Sequence, residues 1–337
     1  MTDRVTLIDV AKAADVHAST ASRALNPETR GVVSDQTVAR VLEAASSLGY
    51  RPHPLARGLR TDKTLTVGIV VPDLENPLFP PLVRGADTVL GQEGYTLLIG
   101  NTDNDQEHTE AVVSSLVDRR VDGLILATAE IGSGLAAAVQ NEGISVVLVN
   151  RESEDRSVPA IVGDDHLGIG LAVDHLVGLG HREIGHVAGP ARLSTGVGRA
   201  QAFRAHMDRH GLATADKVEV ADWFQVEPGA NAAAKLLARH PELTAVMAAN
   251  DLLALGALRA IRDAGLRVPE DISLTGYNDM PFVDVVQPPL TTVRVPYREM
   301  GQLAAQALLD LLRDGQGAGT VRLAPELSVR ASTAPPG

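Results

Sequence analysis

Residues 6–26, TLIDVAKAADVHASTASRALN, decide how the chain begins to fold. Thr6-Leu7-Ile8-Asp9 is a capping box, in which the Thr6 oxygen accepts a backbone N–H and Asp9 reaches back to the helix start. Ile8, Val10, Ala11 and Ala14 follow at positions that suit two turns of helix with an apolar side. Asp15-Val16 predicts a tight turn, because Asp tolerates the left-handed backbone better than most residues, though less well than Gly. A second helix is expected from about His17 to Leu25, with Thr20, Ala21 and Ala24 small enough for close packing. Working outward, Asn26-Pro27-Glu28-Thr29-Arg30-Gly31 reads as a loop. Ser34 then caps a third helix, whose Val38, Val41, Leu42, Ala45 and Leu48 form one face before Gly49 stops it. Two short helices joined by a tight turn and braced by a third make a helix-turn-helix.

The rest of the chain is too long to be an appendage of that head. At 337 residues, and at roughly 100–200 residues per domain, two or three domains are expected. No run of about 18 apolar residues occurs, and the first ten residues lack the apolar centre of an export signal. A cytoplasmic chain without a membrane segment is the expectation. Cys is absent, which excludes disulfides, thiolate nucleophiles and cysteine metal sites. The formal net charge is −12, yet residues 1–63 hold nine Lys/Arg against seven Asp/Glu. An acidic body thus carries a mildly basic head, though a surplus of this size by itself reads as a solvated surface unless a motif accompanies it.

From Leu65 onward, strand-like runs alternate with helix-length segments. Strands are expected at 65–71, 95–99, 123–127 and 145–149, with helices at 77–92, 106–119 and 132–142. The series starts again with strands near 160–162, 183–187, 217–220, 245–248 and 273–275, and helices at 166–179, 198–211, 229–239 and 252–264. Near-continuous apolar strands bounded by helices indicate parallel sheets covered on both faces. The fold class expected is α/β: a helix-turn-helix head over residues 1–50, a hinge over 51–64, and two doubly wound parallel-sheet subdomains over 65–333. The boundaries place 65–160 and 294–320 in the first subdomain and 161–293 and 321–333 in the second. The tail supplies a helix at about 297–313 and a last strand crossing between the halves, with a ligand cleft between them.

The motifs Val5–Ala11, Ser19-Thr20-Ala21-Ser22-Arg23-Ala24-Leu25-Asn26, Val33-Ser34 and Leu48-Gly49-Tyr50-Arg51-Pro52 resemble the DNA-binding head of the LacI/GalR family of transcription regulators. In the body, Asn76-Pro77-Leu78-Phe79, Arg120-Val121-Asp122-Gly123, Ala188-Gly189-Pro190, Asn250-Asp251, Gly276-Tyr277-Asn278-Asp279 and Pro289-Leu290-Thr291-Thr292-Val293 resemble that family's effector core, which is of periplasmic-binding-protein type. The resemblance covers roughly residues 5–333. It implies that Ala18, Ser19 and Arg23 read bases and that Thr6, Thr20, Ser22 and Asn26 meet phosphates, with His17 and Tyr50 completing the DNA-facing set. Physical chemistry agrees for Arg23, since a guanidinium on guanine O6/N7 is the commonest specific major-groove contact. The hinge is implied to hold a short helix from Pro54, with Ala56 and Leu59 at the minor groove and Leu59 as a wedge between base steps. Three departures from the family pattern stand out: Asp15 in place of the turn Gly, His17 in place of a Ser N-cap, and a slightly longer loop before Val33.

For the body, the resemblance implies an effector held by Asp73, Phe79, Arg151, Arg199, Trp223, Asn250, Asn278 and Asp279. All but Arg199 sit just past expected strand ends, where open α/β sheets bind ligands. Carboxylates, amides, guanidinium groups and aromatic faces suit a polyhydroxylated ring. Plainer readings exist: Trp223 as core, Asp73 as a turn former and Asn250 as a helix cap. Enzyme chemistry has thin support, and neither a catalytic residue nor a cofactor nor a metal site is expected. Gly168-Ile169-Gly170 and Gly196-Val197-Gly198 begin like dinucleotide loops, but Val173 and Gln201 stand where the third Gly belongs. His206 and His210, one helical turn apart, read as a solvated pair. The expected protein is a homodimeric repressor that binds a pseudopalindromic operator and answers to a sugar or polyol. A sugar receptor of periplasmic type, sharing only the body, is the alternative; residues 1–60 weigh against it.

Overall fold

The computed structural model describes residues 5–26, 29–50, 63–153, 157–214, 216–315, 317 and 319–337, in two compact units that divide between Leu65 and Thr66. The hinge residues Ala56 and Leu59, and the helix expected from Pro54, lie outside the described residues.

The head unit contains α1 (Leu7–Ala13), α2 (Ala18–Leu25), a 3-10 turn (Arg30–Val32) and α3 (Asp35–Ser47). The Asp9 carboxylate accepts from the Thr6 N–H at 2.8 Å and from the Thr6 hydroxyl at 2.7 Å, as the capping box requires. Asp15 takes the turn at φ +50°. Ser34 caps α3 by accepting from the Thr37 N–H, and Gly49 ends it at φ +65°. Val10, Ala11, Ala14, Ala21, Ala24, Val38, Val41, Ala44 and Ala45 form the core. Three expected core positions fail. Ile8 is 57% exposed, because it lies on the far side of α1 from Val10. Leu42 sits on the rim of the buried stripe of α3, and Leu48 is its C-cap, so both remain exposed.

The body begins with β1 (Thr66–Val71), α4 (Phe79–Gln92), β2 (Thr96–Asn101), α5 (Gln106–Asp118), β3 (Gly123–Leu126), α6 (Leu135–Asn141), β4 (Ser145–Val149) and β5 (Ala160–Gly163). It continues with α7 (Asp165–Gly178), β6 (Ile184–Ala188), α8 (Ser194–Arg209), β7 (Val218–Val220), α9 (Val226–Arg239), β8 (Ala245–Ala248), α10 (Asp251–Asp263) and β9 (Ser273–Asn278). The last elements are β10 (Thr291–Arg294), α11 (Tyr297–Asp314), β11 (Thr320–Leu323) and β12 (Glu326–Ser328). Two six-stranded sheets result, in the orders β11-β5-β4-β3-β1-β2 and β12-β10-β9-β8-β6-β7. Every pairing is parallel except β12 on β10.

One boundary needs correction. The run at 160–162 does not open the second subdomain; β5 pairs with β4 and β11 in the first sheet. The described residues between β4 and β5 form no helix, so alternation alone reads the pair as a break between two series. The tail carries two short strands rather than one: β11 joins the first sheet and β12 the second, separated by Ala324-Pro325. The chain therefore passes between the sheets three times, after β5, after β10 and after β11.

The central strands β1, β3, β4, β6, β8 and β9 are covered on both faces. The edge strands β2 and β7 are not, and Ile99 and Val220 stay exposed because nothing packs beyond a sheet edge. Leu82, Leu90, Met300 and Leu308 close one face of the first sheet, and Val113, Leu116 and Val139 the other. The dinucleotide-like glycines serve packing instead. A Cβ on Gly168 would strike the Tyr277 ring, and one on Gly170 would strike His206. That contact also corrects the histidine pair: His206 is buried, with Nε2 3.1 Å from the His166 carbonyl oxygen, while His210 bonds Asp174 at 2.7 Å.

Candidate functional site

On the head, α2 presents a mixed polar surface. Ser19 and Arg23 are exposed, Ala18, Thr20, Ser22 and Asn26 half-buried, and Ala21 and Ala24 anchor the opposite side in the core. Arg23 is exposed, and its guanidinium bonds to no described residue. His17, despite replacing a Ser, does cap the helix: its Nδ1 accepts from the Ser19 N–H at 3.2 Å and lies 2.7 Å from the Ser19 hydroxyl. With Nδ1 as acceptor, the Ser19 hydroxyl donates to it, so the lone pairs of Ser19 remain available. Tyr50 packs against the head core, and its partial burial pushes its phenol pKa up.

In the body, the carboxyl ends of the strands meet in a cleft between the sheets. Asp73, Phe79, Arg151, Arg199, Trp223, Asn250 and Asn278 all line it, arriving from the turn after β1, the start of α4, the residues after β4, α8, the residues after β7, and the ends of β8 and β9. Asp279 does not join them. The residue after β9 turns away at φ +56°, and its carboxylate pairs with Arg294 at 2.7 Å and Arg330 at 2.6 Å. Burial opposes its charge, but bonds from these two guanidinium groups hold it below the usual carboxylate range.

Several of the cleft residues also hold the structure. Asn250 caps α10 by accepting from the Leu253 N–H at 2.8 Å, and Asp73 forms a turn by accepting from the Glu75 N–H at 2.8 Å. Arg199 is 4% exposed; it bonds Asp165 at 2.9 Å, donates to the Ala249 carbonyl at 2.7 Å and lies 3.9 Å over the Tyr277 ring. Burial works against its charge, yet the Asp165 carboxylate raises it above its ordinary value. Asn278 accepts from the Tyr297 hydroxyl at 2.7 Å, which ties the end of β9 to the start of α11 in the other half.

Residues outside the expected effector set complete the wall, among them Asn76 of the Asn76-Pro77-Leu78-Phe79 motif. Asn104, Asn150, Thr195, Gln225 and Tyr297 line the cleft as well, and Asn104 and Asn150 do so from a positive φ. Gly189 is explained as well, since a Cβ there would overlap the Phe224 ring at the cleft wall. A bridge joins the two halves beside the cleft residue Trp223. Arg192 of the second half bonds Glu130 of the first at 3.2 Å, accepts the Ile131 N–H at its carbonyl, and stacks 3.6 Å over the Trp223 ring. About 30 Å³ of free space remains inside, room for only one or two water molecules.

Residues 6–53 match the bacterial regulatory proteins of the lacI family, and residues 173–333 match the periplasmic binding protein-like domain. The chain is 33% identical over 305 residues to the ribose operon repressor of Escherichia coli strain K12, an alignment covering 90% of this chain and 92% of that one. Among solved structures, the lac repressor dimer bound to operator and the anti-inducer ONPF matches with a TM-score of 0.86 at 28% identity, covering 98% of this chain and all of that one. The complex of the transcriptional regulator CelR with cellobiose matches with a TM-score of 0.75 at 30% identity and the same coverage.

Proposed function

Because the chain belongs to the lacI family of bacterial regulatory proteins, we propose that it acts in the cytoplasm as a two-fold homodimer on a pseudopalindromic operator, released by a carbohydrate-like effector seated between its two sheets. That it is a DNA-binding transcriptional regulator with a small-molecule effector follows from that membership. The observation that carries the finer reading is the meeting of Asp73, Arg151, Arg199, Asn278 and Trp223 in one cleft. A carboxylate, an amide, two guanidinium groups and an indole match the hydroxyls and apolar face of a sugar. The ribose repressor and the cellobiose-bound regulator among its relatives support the same class.

On DNA, Arg23 takes a guanine edge through its exposed guanidinium, and Ser19, with its proton directed to His17, offers an acceptor. Thr6, Thr20, Ser22 and Asn26 set the register on phosphates. A thermal-shift screen of sugars and polyols, followed by operator release with the best of them, tests the reading. A ligand at 100 times its dissociation constant adds about 2.7 kcal/mol. Arg23→Ala is expected to weaken operator binding by about 1–3 kcal/mol and relax one symmetric base position. Operator binding at wild-type strength by Arg23→Ala would remove the head assignment, and a screen without any stabilising sugar or polyol would remove the effector class.

A further inference from the structure

Beside the cleft lies a second, larger cavity, of about 300 Å³, the lower end of the range for small-molecule sites. Pro72, Asn104 and Arg151 form part of the wall of both. Its apolar surface comes from Leu126 and Leu148 at the ends of β3 and β4, Val158 before β5, and Ala136 of α6. The rim is the Gly132–Gly134 segment and the first turn of α5. No described aromatic residue lines it.

Three polar atoms of its lining are buried without a partner: Arg151 Nε, Thr102 Oγ1 and Ser153 Oγ. Arg151 is 6% exposed and Thr102 is fully buried. A buried guanidinium nitrogen without an acceptor is costly, and such groups are ordinarily satisfied by protein, water or ligand. Burial draws Arg151 down to about 10, opposed by Glu130 nearby, so it remains a cation at neutral pH. Glu130 lines the chamber too, but it makes no hydrogen bond to the Arg151 Nε, and one of its oxygens is bonded to Arg192. Asp105 and Glu110 of the lining stand exposed on the rim. The buried part of the chamber thus offers one cation and two hydroxyls among aliphatic walls, which ask for an anion on an apolar body. A second sugar ring is disfavoured, since the chamber has no aromatic face to stack on.

We propose that this chamber is a second ligand site, taking a small carboxylic acid with an aliphatic or aryl body whose carboxylate binds Arg151. The site stands whether or not the cleft takes a carbohydrate.

Isothermal calorimetry on the full chain without DNA, using benzoate, hexanoate and 4-methylpentanoate beside their matching amides, tests it. At least one carboxylate is expected to bind once per chain and at least ten-fold more tightly than its amide. Arg151→Met is expected to erase that difference while the far-ultraviolet circular dichroism is unchanged. Should that variant not fold, Ala137→Leu, which narrows the chamber at a half-buried wall, is expected to weaken the carboxylate at least ten-fold. The proposal is overturned if no carboxylate outbinds its amide on the folded wild type. A preference that survives in Arg151→Met, or unchanged binding by Ala137→Leu, overturns it equally. Because this experiment needs neither operator nor sugar, a missing sugar response would remove the cleft reading alone.

Discussion

Arg199 shows why a residue named as a ligand contact is rarely only that. Its guanidinium bonds Asp165 and the Ala249 carbonyl and covers the Tyr277 ring, all inside the body. Truncation leaves Asp165 without its cation, and breaking a buried pair in this way costs up to about 3–5 kcal/mol. Urea unfolding is expected to rank the wild type above Arg199→Lys and Arg199→Ala lowest, with effector response lost in Arg199→Ala. Equal stability of all three would mean that the pair carries no weight. Asp251 is a second buried group with a measurable signature. It accepts from the Met280 N–H at 2.8 Å and the Thr292 hydroxyl at 2.5 Å, while burial pushes its carboxyl up to about 7 from 3.8. Between those values the folded chain holds a proton that the unfolded chain has lost. The stability it contributes is therefore full below 3.8 and disappears as pH rises through about 7. Asp251→Asn is expected to flatten that fall in unfolding free energy, measured at about pH 5 and pH 8.

At the scale of elements, periodicity and caps locate helices well but say little about how closely two helices approach. Helices α4 and α11 cross with Gly85 against the Arg298 carbonyl and Gly301 against the Leu82 carbonyl, and each glycine lacks the space for a Cβ. Gly301→Ala is expected to destabilise the body by about 1–3 kcal/mol through overpacking, seen as a lower thermal midpoint of the body transition with the head transition unmoved. The head follows local rules more closely. Asp15 holds a left-handed turn and His17 caps α2, so both departures from the family pattern leave the helix-turn-helix intact. The strand β5 is the counter-example. Its membership in the first sheet depends on its pairing with β4 and β11, the latter about 160 residues away.

For the whole molecule, an effector can change operator affinity only if it binds two arrangements of the protein with different affinity. Three chain crossings join the halves, and Glu130 with Arg192 bridges them beside the cleft. Both side chains are part-exposed, at 23% and 35%, so the pair is worth only about 0–1 kcal/mol. Glu130→Gln is expected to weaken the effector by no more than about five-fold, less at high salt. An operator-release titration of this variant checks it, and a strengthened effector would show that the closed cleft is the unliganded arrangement. Light scattering is expected to show a dimer at micromolar concentration; a monomer with and without DNA would exclude two-fold binding to a palindrome.

The helix-turn-helix was legible in the sequence because its determinants are local: a capping box, a left-handed turn, small residues on one face of each helix, and a terminal Gly. The cleft was legible for a related reason, since the carboxyl end of a parallel strand can be located from the strand itself and such ends gather on one side of a sheet. Asp73, Arg151, Trp223 and Asn278 are named by the family resemblance, and their place just past strand ends agrees with it. Only the tertiary structure could turn Asp279 away to Arg294 and Arg330, occupy Arg199 with Asp165, bury His206 under Gly170, and bring Tyr297 to the cleft wall. Each of these depends on partners brought together by the packing of separate elements, and no periodicity along the chain records which partner will be there.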